Sequence, residues 1–456
     1  MYDVLIGSIQ SYACQDAIRE FVEAAFCIDE TLDEFLSASE TFRRVVVKPN
    51  WVSEAHQNSP DIWEPVITHP VLIMAVLESL AERMKGRGII CLCDGPATVA
   101  DFSAILDRGN LRDGIDDFRK RWPALQLEVQ DLRREIWTWK EQVIVERLPN
   151  IPDSRGYVSM NLGKDSLFYG HHGEGRYYGA DYDTQEVNAH HSGEIQEYLL
   201  AGTPMACDLF INLPKLKTHK KTGITCCLKN LVGVNGDKNW LPHHIEGNPS
   251  SGGDEFPSRS LLNSVESRLK KTAQRVALSF PWVGTYLYRK LRNSGIALLG
   301  DSEKKIRAGN WQGNDTCWRM VLDLNRALLY GNRDATWRET GKSKKYLAIV
   351  DGIVGGEGSG PLCPDSIKSQ ILVAGTSPAE TDAVAARIMG FPLSQLSIIE
   401  RAFDQHRWPL FKRQIKEIRI YDKRFDEQVS AENLKTVVTG GFKPHFGWPG
   451  LAVDHR

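Results

Sequence analysis

Short runs of β-branched and aliphatic residues recur along the chain, and most of them stop at a proline, an asparagine or an Asp-Gly pair. Residues 3–6 predict a first strand. Residues 15–39 carry Ile18, Phe21, Val22, Ala25 and Phe26 at helical spacing with acids between them, the pattern of a surface helix. Residues 43–47 form a strand that halts at Lys48-Pro49-Asn50, because Pro49 lacks the N–H a central ladder needs. Thr68 or His69 starts a helix with Pro70 in its first turn, running to about Met84 on a stripe of Leu72, Val76 and Leu80. Strands follow at residues 88–93, closed by Asp94-Gly95-Pro96, and at Leu209, Phe210 and Ile211, closed by Asn212 and Pro214. Further strands are expected at 157–161, 167–169, 344–350 and 371–374. Helices are expected at 194–201, from Asn314 or Asp315 through Leu328, and from Pro378 through Met389.

Strands alternating with helices predict an α/β protein with a mixed, mostly parallel sheet flanked by helices and interrupted by a helical insertion. The expected layout is a first part of the α/β core at 1–244, the insertion at 245–308, a second part of the core at 309–440, and a surface tail at 441–456. Open α/β sheets bind ligands at strand carboxyl ends. Lys48, Asn50 and Asp94 are predicted to sit there, and His69 at a helix N-terminus beside them.

The stretch 207–240 runs from a strand straight into cationic sequence. Lys215, Lys217, His219, Lys220, Lys221, Lys229 and Lys238 are interleaved with Thr218, Thr222, Gly223, Thr225 and Asn230. Apolar Cys226-Cys227-Leu228 and Leu231-Val232 bracket Lys229 and Asn230, and a lysine buried in such a setting needs a partner or a ligand. A second rich stretch, 313–325, places Asp315, Arg319 and Asp323 four residues apart on one helix face, where they can form an ion-pair ladder. In the third, Asp351 closes a strand and Gly352, Gly355, Gly356, Gly358 and Gly360 follow it. Backbone N–H groups in such a loop can cradle a phosphate or carboxylate. The Gly-Lys-Ser/Thr of a Walker loop is absent.

Composition narrows the classes. The 456-residue chain has 42% hydrophobic and 25% charged residues, a formal charge of −2 and a pI of about 6.6, so its positive charge is local and a general nucleic-acid binder is not expected. Nine scattered cysteines without a CxxC pair argue for buried thiols in a reducing cytoplasm and against an iron–sulfur cluster. The N-terminus reads as a strand rather than a signal peptide. Residues 261–299 are amphipathic with basic flanks and aromatics; they suit an insertion packed on the body or on a second copy, or a peripheral membrane contact. The pairs His171-His172, His190-His191 and His243-His244 leave a transition-metal site with His219 open.

Six ordered motifs, KPNW (48–51), THP (68–70), DGP (94–96), LPKLKTH…TG…KNLVG (213–233), GNDTCWRMVLDLN (313–325) and DGIVGGEGSGP (351–361), together resemble the bacterial and archaeal family called domain of unknown function 362, from about residue 40 to 395. Many members carry a ferredoxin-like module that this sequence lacks. The resemblance implies a shared fold and site and leaves the reaction open. Variants with large middle insertions resemble those found beside surface-polysaccharide genes.

The functional expectation is an enzyme acting on an anionic small molecule, phosphorylated or carboxylated. Lys217, His219, Lys229 and Asp94 are the expected catalytic groups, with His219 as general acid–base near neutrality. Lys48, Asn50, His69 and Lys215 are expected to line the ligand, together with Thr222, Asn230, Gly233 and Asn314. The Gly352, Gly355, Gly358 and Gly360 cradle completes that set. Asp94, Asp315 and Asp351 are the candidates for a divalent metal. The alternatives are a transition-metal racemase or oxidoreductase, and a non-catalytic accessory protein of surface-polysaccharide synthesis.

Overall fold

The computed structural model describes residues 2–38, 43–140, 143–179, 184–258, 306–436 and 440–451; the stretch 261–299 lies outside the described residues. Twelve strands make one large sheet: β1 (Val4–Ser8), β2 (Arg44–Pro49), β3 (Gly88–Asp94), β4 (Leu125–Asp131), β5 (Leu209–Leu213), β6 (Lys215–His219), β7 (Gly223–Thr225), β8 (Lys345–Ser359), β9 (Cys363–Ile367), β10 (Ile371–Gly375), β11 (Ile420–Asp422) and β12 (Glu427–Val429). The main path is β12-β11-β1-β10-β8-β5-β2-β3-β4. From β8 to β4 every neighbour is parallel, while β10 runs antiparallel to both β8 and β1.

The parallel strands read as unbroken apolar runs because both of their faces are covered. Val45, Val47, Leu209, Ile211, Leu347 and Ile349 pack toward α1 (Gln15–Phe26) and α2 (Pro70–Arg83). Val46, Phe210, Ala348 and Val350 pack toward α3 (Cys317–Tyr330) and α4 (Pro378–Ile388). Pro70 opens α2 as predicted, and the His69 ring caps it by accepting from the Val71 N–H.

Pro214 shapes the site. It ends β5, and its carbonyl accepts the Asp351 N–H at 2.8 Å. The chain then resumes as β6, still parallel to β8 but shifted along it, with Lys215 opposite Asp351 and Lys217 opposite Gly356. β8 is therefore long enough to pair first with β5 and then with β6.

Several expectations are corrected. Residues 195–201 are a strand, Ile195–Ala201, paired with Tyr157–Asn161, rather than a helix. Their helix-favouring composition is overridden by burial of Gln196, Tyr198 and Leu200 on one face. Residues 167–169 are a turn. The surface helix expected over 15–39 is two helices, the second (Glu30–Ser37) capped by the Asp29 side chain. The glycine-rich loop is not a loop: β8 continues through Ser359 and turns back as β9. The tail is no surface extension either, since Phe442, Trp448 and Leu451 are buried against the body.

Candidate anion-binding site

Two buried ion pairs mark the carboxyl ends of the parallel strands. On β2 and β3, the Lys48 ammonium lies 2.7 Å from Asp94 Oδ1, and its other donors reach Asn230 Oδ1 (3.2 Å) and the Pro49 carbonyl (3.1 Å). Asp94 also accepts the N–H groups of Trp51 and Gly95, each at 2.7 Å. Gly233 is glycine because a Cβ there would stand 1.9 Å from Asp94 Oδ1 and 2.7 Å from Lys48 Nζ. On β6 and β8, Lys215 Nζ lies 2.7 Å from Asp351 Oδ2 and also donates to Tyr12 Oη and the Val354 carbonyl. Asp351 further accepts from Tyr12 Oη–H at 2.7 Å and the His69 N–H at 2.8 Å.

Asn230 ties these pairs to the sheet. Its Oδ1 accepts from Lys48 and from Asn50 Nδ2 (2.9 Å), and its Nδ2 donates to Asn212 Oδ1 (2.7 Å). Asn212 in turn donates to the Cys227 carbonyl and Tyr346 Oη. The short helix Cys227–Asn230 is fixed at its other end by Asp382, whose two carboxylate oxygens take the N–H groups of Cys227 (2.7 Å) and Leu228 (3.0 Å).

Lys229 sits on that helix, and its ammonium is different. Among the described residues no hydrogen bond or ion pair engages it, and none engages the Lys220 ammonium. Its charge acts instead on Lys217, His219, Lys220, Lys221 and His243, and it feels that of Lys48. Burial, with only the Cys317 thiol as a favourable neighbour and Lys48 opposing, lowers the Lys229 pKa. Burial also takes Lys221 down to about 8, and lowers Lys220. Lys217 falls well below the usual lysine range through burial and then the charges of Lys215 and Lys229, although its ammonium keeps the Val66 and Pro361 carbonyls.

His219 is held neutral. Burial and then Lys229, Lys220 and Lys221 push its pKa well below 6.5, and its Nδ1 accepts the N–H groups of Lys221 (3.1 Å) and Thr222 (3.3 Å). The proton of this neutral ring therefore belongs on Nε2, and a histidine that titrates near neutrality is not what this environment makes. His243 is neutral for the same reasons, with Nδ1 on the Leu241 carbonyl. Lys220, Lys221, Lys229 and His243 all keep part of their surface accessible.

The remaining predicted site residues are occupied structurally. Asn314 spends both amide protons on the His243 and Gly309 carbonyls, and its oxygen accepts from the Thr316 and Cys317 N–H groups, so it has nothing left for a ligand. Thr222 Oγ1 donates to the Ile224 carbonyl. His69 is stacked on Tyr12, with ring centroids 3.6 Å apart, and burial drops its pKa to about 4. Glycines of the expected cradle serve close packing. A Cβ on Gly360 would stand 2.0 Å from the Thr218 carbonyl, one on Gly352 2.6 Å from Ile371, and one on Gly355 3.0 Å from Phe442. Gly358 adopts φ +69° and gives its N–H to Lys443.

The three candidate metal aspartates do not form one site. Asp94 and Asp351 belong to the two ion pairs, and Asp315 pairs with Arg319 (2.9 Å) and His171 (3.3 Å). Asp323 does not join Arg319 in a ladder but turns inward to Ser166, Leu167 and Tyr198. Among the described residues, the one set of three side chains near enough for a metal is Cys226, Cys227 and Asp382, fully buried and already bonded to the backbone. His171 bonds Tyr177, His190 bonds Glu197, and His191 bonds Gln196 and the Trp240 carbonyl. A groove of about 910 Å³ lies elsewhere, beside Phe102, Trp137 and Ile151, and the Arg133 guanidinium on its wall is committed to Asp131 and the Ala97, Thr98 and Ala100 carbonyls.

Sequence reasoning missed Tyr12, Asn212, His243 and Asp382 as parts of this arrangement. Only the His243-His244 pair carried a signal, and it pointed to metal.

Fold and site together define an α/β protein with a cluster of lysines at the carboxyl edge of its parallel strands, two of which, Lys220 and Lys229, have no ammonium partner among the described residues. Residues 164–387 match the family model described as Domain of unknown function (DUF362), a match consistent with a member of that family. The matched segment holds β5 to β8 and most of α4, while Lys48, His69 and Asp94 precede it. No curated protein matches the chain. Among the described residues no helix is long and apolar enough to cross a membrane.

Proposed function

We propose that the protein binds an anionic small molecule, phosphorylated or carboxylated, over Lys229, and acts on it through lysine acid–base chemistry. One observation carries this reading: a largely enclosed ammonium that has no acceptor among the described residues stands with Lys220, Lys221, His219 and His243 around it. Enclosing like charges without a counter-ion is costly, and an anion relieves that cost. The neutral His219 ring then acts as a hydrogen-bond donor through Nε2 rather than as a base, while His243 spends its Nδ1–H on the Leu241 carbonyl. Lys221, with a pKa of about 8, is the group in range to exchange a proton near neutrality. Free thiols throughout, including adjacent Cys226 and Cys227, favour a reducing cytoplasmic setting.

A thermal-shift screen of phosphates, sugar nucleotides and hydroxy acids tests the reading. Stabilisation by one of these classes that is lost in Lys229→Met supports it. Equal shifts in Lys229→Met and the unaltered chain would remove it.

A further inference from the structure

Cys226 stands at the break between β7 and the short helix Cys227–Asn230. Neighbouring residues of a strand point to opposite faces. Here the two thiols converge instead, with Cys226 Sγ 4.0 Å from Cys227 Sγ. A carboxylate oxygen of Asp382, on α4, joins them, and the three donor atoms all lie within 4.8 Å of one another. All three side chains are fully buried, and both thiols are hydrogen-bonding neighbours of Asp382. The Asp382 oxygens each accept one backbone N–H, from Cys227 at 2.7 Å and from Leu228 at 3.0 Å. A carboxylate oxygen keeps a further lone pair beyond the one an N–H takes, and such N–H bonds orient a metal-ligating carboxylate.

We propose that Cys226, Cys227 and Asp382 form a structural zinc site that locks the helix carrying Lys229 and Asn230 to α4. Two sulfurs held at about 2.3 Å from one tetrahedral zinc stand roughly 3.8 Å apart, close to the separation found here. Thiolate and carboxylate are ligands that zinc accepts. The zinc ion displaces one proton from each thiol: two S–H bonds break, two Zn–S bonds form, the carboxylate oxygen adds a third bond, and two protons leave to solvent. No electrons move. Burying new net charge would be costly, and this exchange leaves the charge of the enclosed set unchanged. Tyr346 Oη, a hydrogen-bonding neighbour of Cys227 that accepts from Asn212 at 2.8 Å, is the oxygen suited to the fourth position. Enclosure of all three ligands means that the metal enters as the chain folds. The site stands whether or not an anion binds over Lys229.

The test uses the full-length, untagged protein produced in zinc-supplemented and in cobalt-supplemented medium. Elemental analysis should find one metal ion per chain. The cobalt form should show a near-ultraviolet sulfur-to-metal charge-transfer band and the visible bands of a tetrahedral thiolate site. Metal and bands should both be lost in the double variant Cys226→Ser, Cys227→Ser, and the visible bands should shift in Asp382→Asn. Anomalous scattering at the zinc edge, from crystals of the unaltered chain, places the ion even if the variants misfold; a peak between the two sulfurs supports the site. Folded protein that carries no metal from either medium overturns it. So does metal without the sulfur charge-transfer band, metal retained in the double variant, or an anomalous peak elsewhere.

Discussion

Two pairs of lysines at this sheet edge contrast in a way that sequence composition does not reveal. Lys48 and Lys215 each face an aspartate at 2.7 Å and fill their remaining donors with protein oxygens. Lys229 and Lys220 have neither an aspartate nor an oxygen among the described residues. The first pair closes the sheet edge; the second leaves charge beside it that no described residue compensates. A completed ion pair is a fastening and a bare ammonium is an invitation, so the two should respond oppositely to removal.

The largest expected effect is on the first pair. Lys215→Met or Asp351→Leu alone strands a buried charge and should lower unfolding free energy by about 3–5 kcal/mol in urea titrations. The double substitution should cost much less than the sum of the singles. If it costs as much as the sum, the pair is not coupled and the contrast fails. Gly233→Ala should follow, because its Cβ would stand 1.9 Å from Asp94 Oδ1. Overpacking of that kind costs about 1–3 kcal/mol and would be read from the same titration. Lys229→Met should behave the other way, leaving stability unchanged or raised. Phosphate affinity in calorimetry should fall by roughly ten- to a hundredfold, the worth of a charge-assisted hydrogen bond.

The last contrast is a pH dependence, of which only a small part is read near neutral pH. Lys221 keeps its proton in the folded chain only up to about pH 8, against 10.5 ordinarily. Between those values the unfolded chain binds more protons, so its contribution to the stability of the ligand-free protein rises with pH across that window. Anion affinity should fall over the same range. Saturating phosphate should flatten the stability gain; an unchanged gain would detach Lys221 from the anion site.

Much of the frame was legible in the sequence. Strands at 43–47, 88–93 and 209–211 announced themselves by apolar runs ending in proline or an acid, and Pro70 marked its helix. Long-range context hid the rest. Residues 195–201 contain Glu, Gln, Leu and Ala, and only their pairing with Tyr157–Asn161 makes them a strand. The glycines after Asp351 suggested a flexible cradle, yet they are small because β6, β9, Ile371 of β10 and Phe442 crowd them. Site location followed from strand ends, but which lysine was spoken for did not. Asp94 lies 46 positions from Lys48 and Asp351 136 from Lys215, and no local pattern announces such partners.

Asn230 carries a consequence for how a ligand would be received. It is clamped by Lys48, Asn50 and Asn212, and the four-residue helix behind it is pinned by Asp382. The neighbouring Lys229 is thus mounted on a rigid bracket, with only its own side-chain torsions to settle. Recognition at this bracket should be preorganised, with little ordering entropy lost there on docking.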